Sequence, residues 1–241
     1  MDTTLETTGT DGVLIAILRM YLTLALPVLL VMASIRVIMT PVFLNEEYTR
    51  ADFPADYYGF TTEDRLAYAP YAVEYLLNGE DITYLSNLRF PNGTALFNAR
   101  ELHHMRDVKT VTQAAFVLAI AAGISMAAAV YRLGRSAATR REMWQGLFNG
   151  SILTLGLIAA IVLAAVVNWE FFFTGFHSLF FQSGTWYFAY SDTLIRLFPE
   201  QFWFDAALAA GGLTTAGALA TLAVSWRGKR RQRVTFDMTF P

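Results

Sequence analysis

The chain has 241 residues, of which 55% are hydrophobic and only 16% charged, and its formal net charge is −2. An ordinary soluble domain has about 25% charged residues, so this composition argues against a soluble protein. The net charge is nearly neutral, and the sequence shows no basic face large enough for nucleic-acid binding. The absence of cysteine excludes disulfides, thiolate metal sites and a cysteine nucleophile.

Four stretches are long and apolar enough to cross a membrane, which takes about 20 mostly apolar residues. They are residues 13–40, 111–131, 146–168 and 203–226. The third has no charged residue between Ser151 and Val167, which argues against the alternative of a soluble protein with buried helices. We therefore predict an all-α integral membrane protein, a single domain over residues 1–241 with four transmembrane helices.

The segments outside these helices differ in charge. Residues 132–145 and 227–241 together hold nine basic and two acidic residues, whereas residues 41–110 hold 11 acidic and six basic residues. Basic segments favour the cytoplasmic side of a membrane. We therefore predict that both termini are cytoplasmic, and that two segments are extracytoplasmic: an outer loop domain (residues 41–110) and an aromatic roof (residues 169–202).

The outer loop domain is too long for a simple connection, and local signals predict that it is mainly helical. Residues 62–64 resemble a helix start and residues 78–79 a helix end, and Pro70 is expected to kink or split the helix between them. Residues 82–90 are expected to pair as short strands around a turn at residues 91–93.

The aromatic roof is apolar but broken. Six phenylalanines fall between Phe171 and Phe181, and Gly175, Gly184 and Pro199 interrupt the segment. Irregular backbone at membrane depth is tolerated only where protein or a water-filled cavity covers it. We predict a re-entrant or interfacial segment that closes a cavity at the outer leaflet. The alternative is an aromatic belt that only anchors the helix ends.

All three histidines fall in the predicted outer segments, at positions 103, 104 and 177. Histidine suits proton transfer near neutral pH. On a helix, Glu101, His104 and Asp107 share an arc of about 120°, so His104 is expected to have a carboxylate one turn away on each side. The same spacing fits a salt-bridged helix face. The basic partners for such a face are Arg100, Arg106 and Lys109.

Other catalytic patterns are missing. The sequence has no H-E-x-x-H motif, G-x-S-x-G elbow or P-loop. Glu101 and His104 match Glu-x-x-His once, whereas di-iron bundles need that motif twice. We therefore expect no metal and no cofactor.

Several motifs together resemble a family of bacterial integral membrane proteins that includes the lipoprotein intramolecular transacylases. These motifs are Glu101-Leu102-x-His104-Met105-x-Asp107-Val108-Lys109, Phe176-His177-x-Leu179-Phe180-Phe181, Trp186, Thr193-Leu194-Ile195 and Phe198-Pro199. The resemblance covers most of the chain. The topology of that family, four helices with a large outer loop between the first two, agrees with the charge pattern.

The resemblance implies an acyl shift within one substrate in the bacterial cytoplasmic membrane. The substrate is a lipoprotein whose N-terminal cysteine carries a diacylglyceryl thioether, and the sn-2 acyl chain moves to the α-amino group of that cysteine. By match to the motifs, His104 is the general base and acid and His177 its partner, at the outer leaflet. Glu101 and Asp107 complete the predicted catalytic set.

Aromatic side chains of the roof are predicted to hold the acyl chains and to exclude water. These are Phe176, Phe180, Phe181 and Trp186. Besides the lipoprotein, membrane lipid is the only expected partner. Two other functions fit the residues: a non-catalytic envelope protein that binds lipid or a partner, and a metal-dependent membrane hydrolase that uses His104, His177 and a carboxylate.

Overall fold

The computed structural model describes residues 9–182 and 184–237. The acidic leader at residues 1–8 and the end of the predicted cytoplasmic tail, residues 238–241, lie outside the described residues. The described helices are α1 (Gly9–Ile38), α2 (Pro41–Tyr48), α3 (Thr62–Leu77), α4 (Thr83–Ser86), α5 (Ala99–Gly134), α6 (Ala137–Val167), α7 (Trp169–Phe180), α8 (Thr193–Leu197) and α9 (Glu200–Asp237).

Four of these helices, α1, α5, α6 and α9, are long and apolar enough to cross a membrane. The predicted all-α fold with four transmembrane helices is thereby confirmed. The helices extend past some of the predicted spans. In particular, α5 begins at Ala99 rather than at residue 111, so both neighbouring histidines lie on the first turns of a membrane helix.

The chain divides into two compact units. The first contains the described residues up to Ala33, residues Leu118–Ile161 and the described residues from Gly212 onward. In this unit α6 packs closely on α1. A Cβ atom on Gly146 would lie 2.9 Å from the carbonyl oxygen of Arg19, and one on Gly150 would lie 3.0 Å from Cβ of Leu26. Small residues four positions apart allow membrane helices to approach each other.

The second unit comprises Ser34–Val117 and Val162–Gly211, and it contains every predicted site residue. Its core joins the outer loop domain to the aromatic roof. The fully buried side chains of this core include Leu44, Ala69, Leu85, Leu96 and Leu197. The hydroxyl of Tyr48 donates a 2.8 Å hydrogen bond to the carbonyl oxygen of Leu197, which connects α2 to α8.

The predicted helix start in the outer loop domain is confirmed. Thr61 caps α3 by accepting a hydrogen bond from the backbone N–H of Asp64, and the Asp64 carboxylate accepts one from the backbone N–H of Thr61. Asn78 follows the last helical residue as predicted. Pro70 lies inside α3 but does not split it, because the helix is continuous from Thr62 to Leu77.

The prediction of short strands over residues 82–90 is wrong. Residues Thr83–Ser86 form α4, and the only strand-like pairing in residues 9–182 and 184–237 is an isolated bridge between Arg89 and Ala95. The Asp81 side chain accepts a hydrogen bond from the backbone N–H of Thr83 and so favours a helical turn there. The turn at residues 91–93 is present, with Gly93 at φ +84°.

Candidate active site

The first turn of α5, which carries the neighbouring histidines, is held by a reciprocal cap. The side-chain oxygen of Asn98 accepts hydrogen bonds from the backbone N–H groups of Arg100 and Glu101. In return, the Glu101 carboxylate accepts a 2.7 Å hydrogen bond from the backbone N–H of Asn98. This arrangement satisfies backbone donors that a helix start otherwise leaves unpaired.

The aromatic roof is tied to this helix start by hydrogen bonds. The second carboxylate oxygen of Glu101 accepts one of 2.6 Å from the backbone N–H of Leu194 in α8. Asp192 accepts another from the Asn98 side chain and also forms an ion pair with Arg100. These contacts fix the segment before α8 against the start of α5.

His104 is buried among aromatic rings. Its ring centroid lies 5.2 Å from that of Phe181, 5.3 Å from that of Phe188 and 6.4 Å from that of His177. The two imidazole planes are inclined by 24°. The Nδ1 atom of His104 has no hydrogen-bond partner among the described residues. Buried polar atoms of side chains usually have a partner, so this unpaired nitrogen is unusual.

His177 lies on α7. Asn168 lies between α6 and α7, and its side chain caps α7 by accepting a hydrogen bond from the backbone N–H of Phe171. Nδ1 of His177 lies 2.8 Å from the carbonyl oxygen of Phe173. Because a carbonyl only accepts, Nδ1 carries the proton and Nε2 has the free lone pair of the neutral ring. Burial lowers the pKa of His177 below its ordinary value, which favours this neutral form.

The predicted aromatic residues surround the two histidines. The ring of Trp186 lies 4.8 Å from His177, and the ring of Phe181 lies 5.9 Å from it. The ring centroid of Phe176 lies 5.6 Å from that of His177 and 5.1 Å from that of Phe180. All four predicted side chains are therefore part of one aromatic cluster with the histidines.

Two members of this cluster were not singled out from the sequence. Phe173 lies 4.0 Å from His177, and Phe188 contacts His104. Phe173 precedes His177 by one helical turn, so helical spacing would have found it once α7 was recognised as a helix. Phe188 lies in irregular chain between α7 and α8, where no sequence periodicity indicates which way a side chain points.

Glu101 and Asp107, which were expected to flank His104, make their closest polar contacts with other groups. The buried carboxylate of Glu101 is occupied by two backbone N–H groups. The carboxylate of Asp107 lies 3.6 Å from Nε2 of His103, one turn away. The alternative of a salt-bridged face also fails for Glu101, because backbone groups rather than basic side chains bind it. Helical spacing identified neighbours on the surface of α5 but not the partners from other segments.

No group of three His, Cys, Asp or Glu side chains in the described ranges 9–182 and 184–237 comes together in a way that could hold a metal ion. A cavity of about 300 Å³ lies elsewhere in the second unit, beside the end of α1, α2 and α3, and none of the predicted site residues lines it. The histidines are instead covered by rings, of which Phe176 and Phe180 are about half exposed.

The fold and this site define an all-helical integral membrane protein with two histidines packed among aromatic rings. The family model for the lipoprotein intramolecular transacylase Lit matches residues 20–203, which include both histidines. The chain belongs to the lipoprotein intramolecular transacylase family, as the sequence motifs predicted.

The chain is also similar to other proteins in sequence and in fold. An uncharacterised protein of Aquifex aeolicus strain VF5 is 30% identical over 215 residues, which cover 89% of this chain and 95% of that protein. The fold matches solved structures of the membrane-integral transacylase Lit from Bacillus cereus. A variant with a histidine-to-arginine mutation has a TM-score of 0.74 at 19% identity, covering 95% of this chain and 98% of that one. Another structure of the same transacylase has a TM-score of 0.72 at 20% identity, and the match covers 92% of this chain and 99% of that one.

Proposed function

We propose that this protein moves the sn-2 acyl chain of a diacylglyceryl-modified lipoprotein to the α-amino group of its N-terminal cysteine. The observation that carries the proposal is the pairing of His104 with His177 at 6.4 Å inside a cluster of aromatic rings. Family membership supports the substrate class, and the pairing supports acid–base catalysis. The product is a lyso-form lipoprotein with an N-linked acyl chain.

The reacting amine and ester belong to the same substrate molecule, so the enzyme needs no nucleophile of its own. Holding the two groups in reacting geometry replaces an encounter between two molecules, and such positioning is worth about 7–11 kcal/mol in favourable cases. What remains for the protein is to move protons and to stabilise the negative charge on the carbonyl oxygen.

His104 takes a proton from the α-ammonium group, and the free amine then attacks the ester carbonyl carbon. The new C–N bond forms, and the carbonyl electrons move to oxygen. Nε2 of His177 accepts the second N–H proton, the bond to the glyceryl oxygen breaks, and that oxygen takes its proton from His104. One ammonium and one ester thus become one amide and one hydroxyl, and His177 releases one proton to water.

The aromatic rings suit this reaction because they keep water out. Water would compete with the amine for the ester and release a free fatty acid instead of the N-acyl product. Phe176, Phe180 and Phe181 offer apolar surface for the acyl chains beside the two imidazoles. Glu101 and Asp107 have supporting roles near the histidines. Glu101 caps the start of α5, and Asp107 pairs with His103.

The proposed site lies at the outer leaflet of the bacterial cytoplasmic membrane, with both termini in the cytoplasm. The basic excess of nine to two in residues 132–145 and 227–241 supports this orientation. An outward site suits a lipoprotein whose modified N-terminus is anchored in that leaflet.

The decisive experiment uses the purified protein and a synthetic lipopeptide with an N-terminal diacylglyceryl cysteine. Because the reaction is an isomerisation, the mass of the lipopeptide stays the same. Tandem mass spectrometry then finds one acyl chain on nitrogen, and mild alkali no longer removes that chain. A mixture of unlabelled and deuterated acyl substrates gives no crossed product when the transfer is intramolecular.

Two other outcomes would overturn the proposal. Release of a free fatty acid would indicate a hydrolase, and a lipopeptide that binds but stays unchanged would indicate a non-catalytic lipid-binding protein. In cells, lipoprotein N-termini should carry the N-acyl lyso form only when this protein is present. That comparison tests the same reaction on natural substrates.

A further inference from the structure

The aromatic cluster contains a polar atom without a partner. Trp186 is 6% exposed, and its indole Nε1 has no hydrogen-bond partner among the described residues. Native proteins rarely leave a buried donor unpaired, because the hydrogen bonds that it loses to water are then not replaced. The centroid of the indole ring lies 4.8 Å from that of His177, which places the ring that carries this donor beside one of the two proposed catalytic histidines.

Few side chains of the cluster can donate a hydrogen bond to a substrate. The phenylalanines that surround the histidines have no polar atom, and the Nδ1 proton of His177 is already given to the carbonyl oxygen of Phe173. His104 and Nε2 of His177 are needed for proton transfer. Among the described side chains packed on the pair, the indole of Trp186 therefore remains as a donor that the proton steps do not use.

Acyl transfer creates a need for such a donor. When the amine attacks, the carbonyl oxygen becomes an oxyanion, and its stabilisation by a preorganised donor in a water-free site is often the largest catalytic contribution. The rings around Trp186 exclude water, so a hydrogen bond made there is stronger than at the surface. An indole N–H donates but cannot accept a proton, so it does not interfere with the histidines.

We propose that the indole N–H of Trp186 donates a hydrogen bond to the carbonyl oxygen of the acyl group in transfer and stabilises the oxyanion. This inference rests on the proposed transacylase function. The C–N bond forms while the carbonyl electron pair moves to the oxygen that the indole binds. When the C–O bond to the glyceryl group breaks, that pair returns to rebuild the carbonyl. Trp186 is thus a catalytic residue that transfers no proton.

The indole is closed off from solvent in the present arrangement. Tyr187 stacks on it with ring centroids 4.1 Å apart, and Tyr187 is itself 54% exposed. An acyl carbonyl reaches Nε1 only when aromatic rings of the roof move apart as the substrate binds. This links formation of the oxyanion site to substrate binding and leaves the free enzyme without an open site for water.

The test is the exchange of the indole N–H for an atom that cannot donate. Replacing Trp186 by 3-benzothienylalanine puts sulfur in the place of the N–H and keeps the fused ring, while Trp186→Phe removes the N–H together with part of the ring. We expect kcat to fall about 10²–10³-fold with the sulfur analogue, with KM changed little. The folded state should be as stable as the wild type, because the exchange removes a donor that is unpaired there.

Tyr187→Phe is the matched control, since it removes a neighbouring hydroxyl from the same ring stack and should keep kcat near that of the wild type. Wild-type kcat with the sulfur analogue would overturn the role of Trp186 while leaving the transacylase function intact. A wild-type protein that forms no N-acyl product would overturn both. A loss of kcat in Tyr187→Phe with none in the sulfur analogue would assign the donor to Tyr187 instead.

Discussion

The carboxylate of Glu101 accepts a 2.6 Å hydrogen bond from the backbone N–H of Leu194, which lies 93 residues further along the chain. The other oxygen of the same carboxylate caps the helix that carries His104. One buried side chain thus connects the start of α5 to the aromatic roof. The residues that cover His104 are positioned by this contact together with those of Asp192.

Glu101→Gln is expected to lower stability. An amide has one neutral oxygen where the carboxylate has two charged ones, so one of the two backbone N–H groups loses its acceptor and the other keeps only a neutral one. Hydrogen bonds to charged groups contribute about 1.5–3 kcal/mol each, and thermal unfolding in detergent should show a loss of that order. Glu63→Gln, at an exposed position in the first turn of α3, is the control and should change the unfolding temperature little. An unfolding temperature equal to that of the wild type would contradict the assigned role of Glu101.

The two adjacent histidines of α5 should respond differently to substitution. His104 is buried beside His177, whereas the His103 side chain is 56% exposed and pairs with Asp107. We expect His104→Ala to reduce the acyl shift about 10²–10⁴-fold, as is typical for loss of a positioned acid–base group. His103→Ala should keep most of the activity. Equal losses in two folded variants, measured as N-acyl product per minute, would refute the assignment.

His177→Ala should also remove most activity without unfolding the protein. The ring is only partly buried and packs on Phe173 and Trp186 rather than on the buried leucines of the second unit. Circular dichroism and thermal unfolding provide the check on folding, and the lipopeptide assay provides the check on activity. A folded His177→Ala protein with wild-type activity would exclude this residue from the proton steps.

Stability should depend on pH through Glu47. This carboxyl is buried in α2, and burial, together with the nearby Asp205 carboxyl group, raises its pKa from the ordinary 4.5 to about 7. The folded state therefore binds the proton more tightly than the unfolded state, and stability falls as pH rises from about 4.5 through about 7. Glu47→Gln should raise the unfolding temperature more at pH 8 than at pH 5. The same gain at both pH values would contradict the raised pKa.

Gly146 should tolerate no side chain. The neighbouring helix leaves no room, since an added Cβ would lie 2.9 Å from the Arg19 carbonyl oxygen and 3.0 Å from Cβ of Leu22. Gly146→Ala should force α1 and α6 apart and lower the unfolding temperature. Gly156→Ala on the same helix meets nothing within 4 Å and is the matched control. If both variants unfold at the same temperature, close packing at Gly146 is not needed for stability.

The orientation in the membrane can be tested by cysteine labelling, because the chain has no cysteine of its own. With both termini cytoplasmic, an impermeant thiol reagent on intact cells should label Glu80→Cys but not Ala137→Cys. Permeabilised cells, in which both positions should react, provide the control. Labelling of position 137 alone would mean that the orientation is inverted.

Local pattern and composition determined the four transmembrane helices and the family. Apolar stretches long enough to cross a bilayer form helices, because every backbone polar group at membrane depth must find its hydrogen bond within the segment. The start of α3 followed from residues 62–64, and the turn at residues 91–93 from its Pro-Asn-Gly sequence. In each case the deciding interactions join residues a few positions apart.

The partners of the site residues were decided only by the tertiary structure. Spacing on α5 placed Glu101 and Asp107 beside His104, but the carboxylate of Glu101 binds Leu194, and His104 is covered by Phe188. Helical periodicity describes which residues share a face of one helix. It does not describe what packs on that face when the contact comes from a segment 93 residues away, because closing such a loop depends on the burial and hydrogen bonds gained across the whole unit.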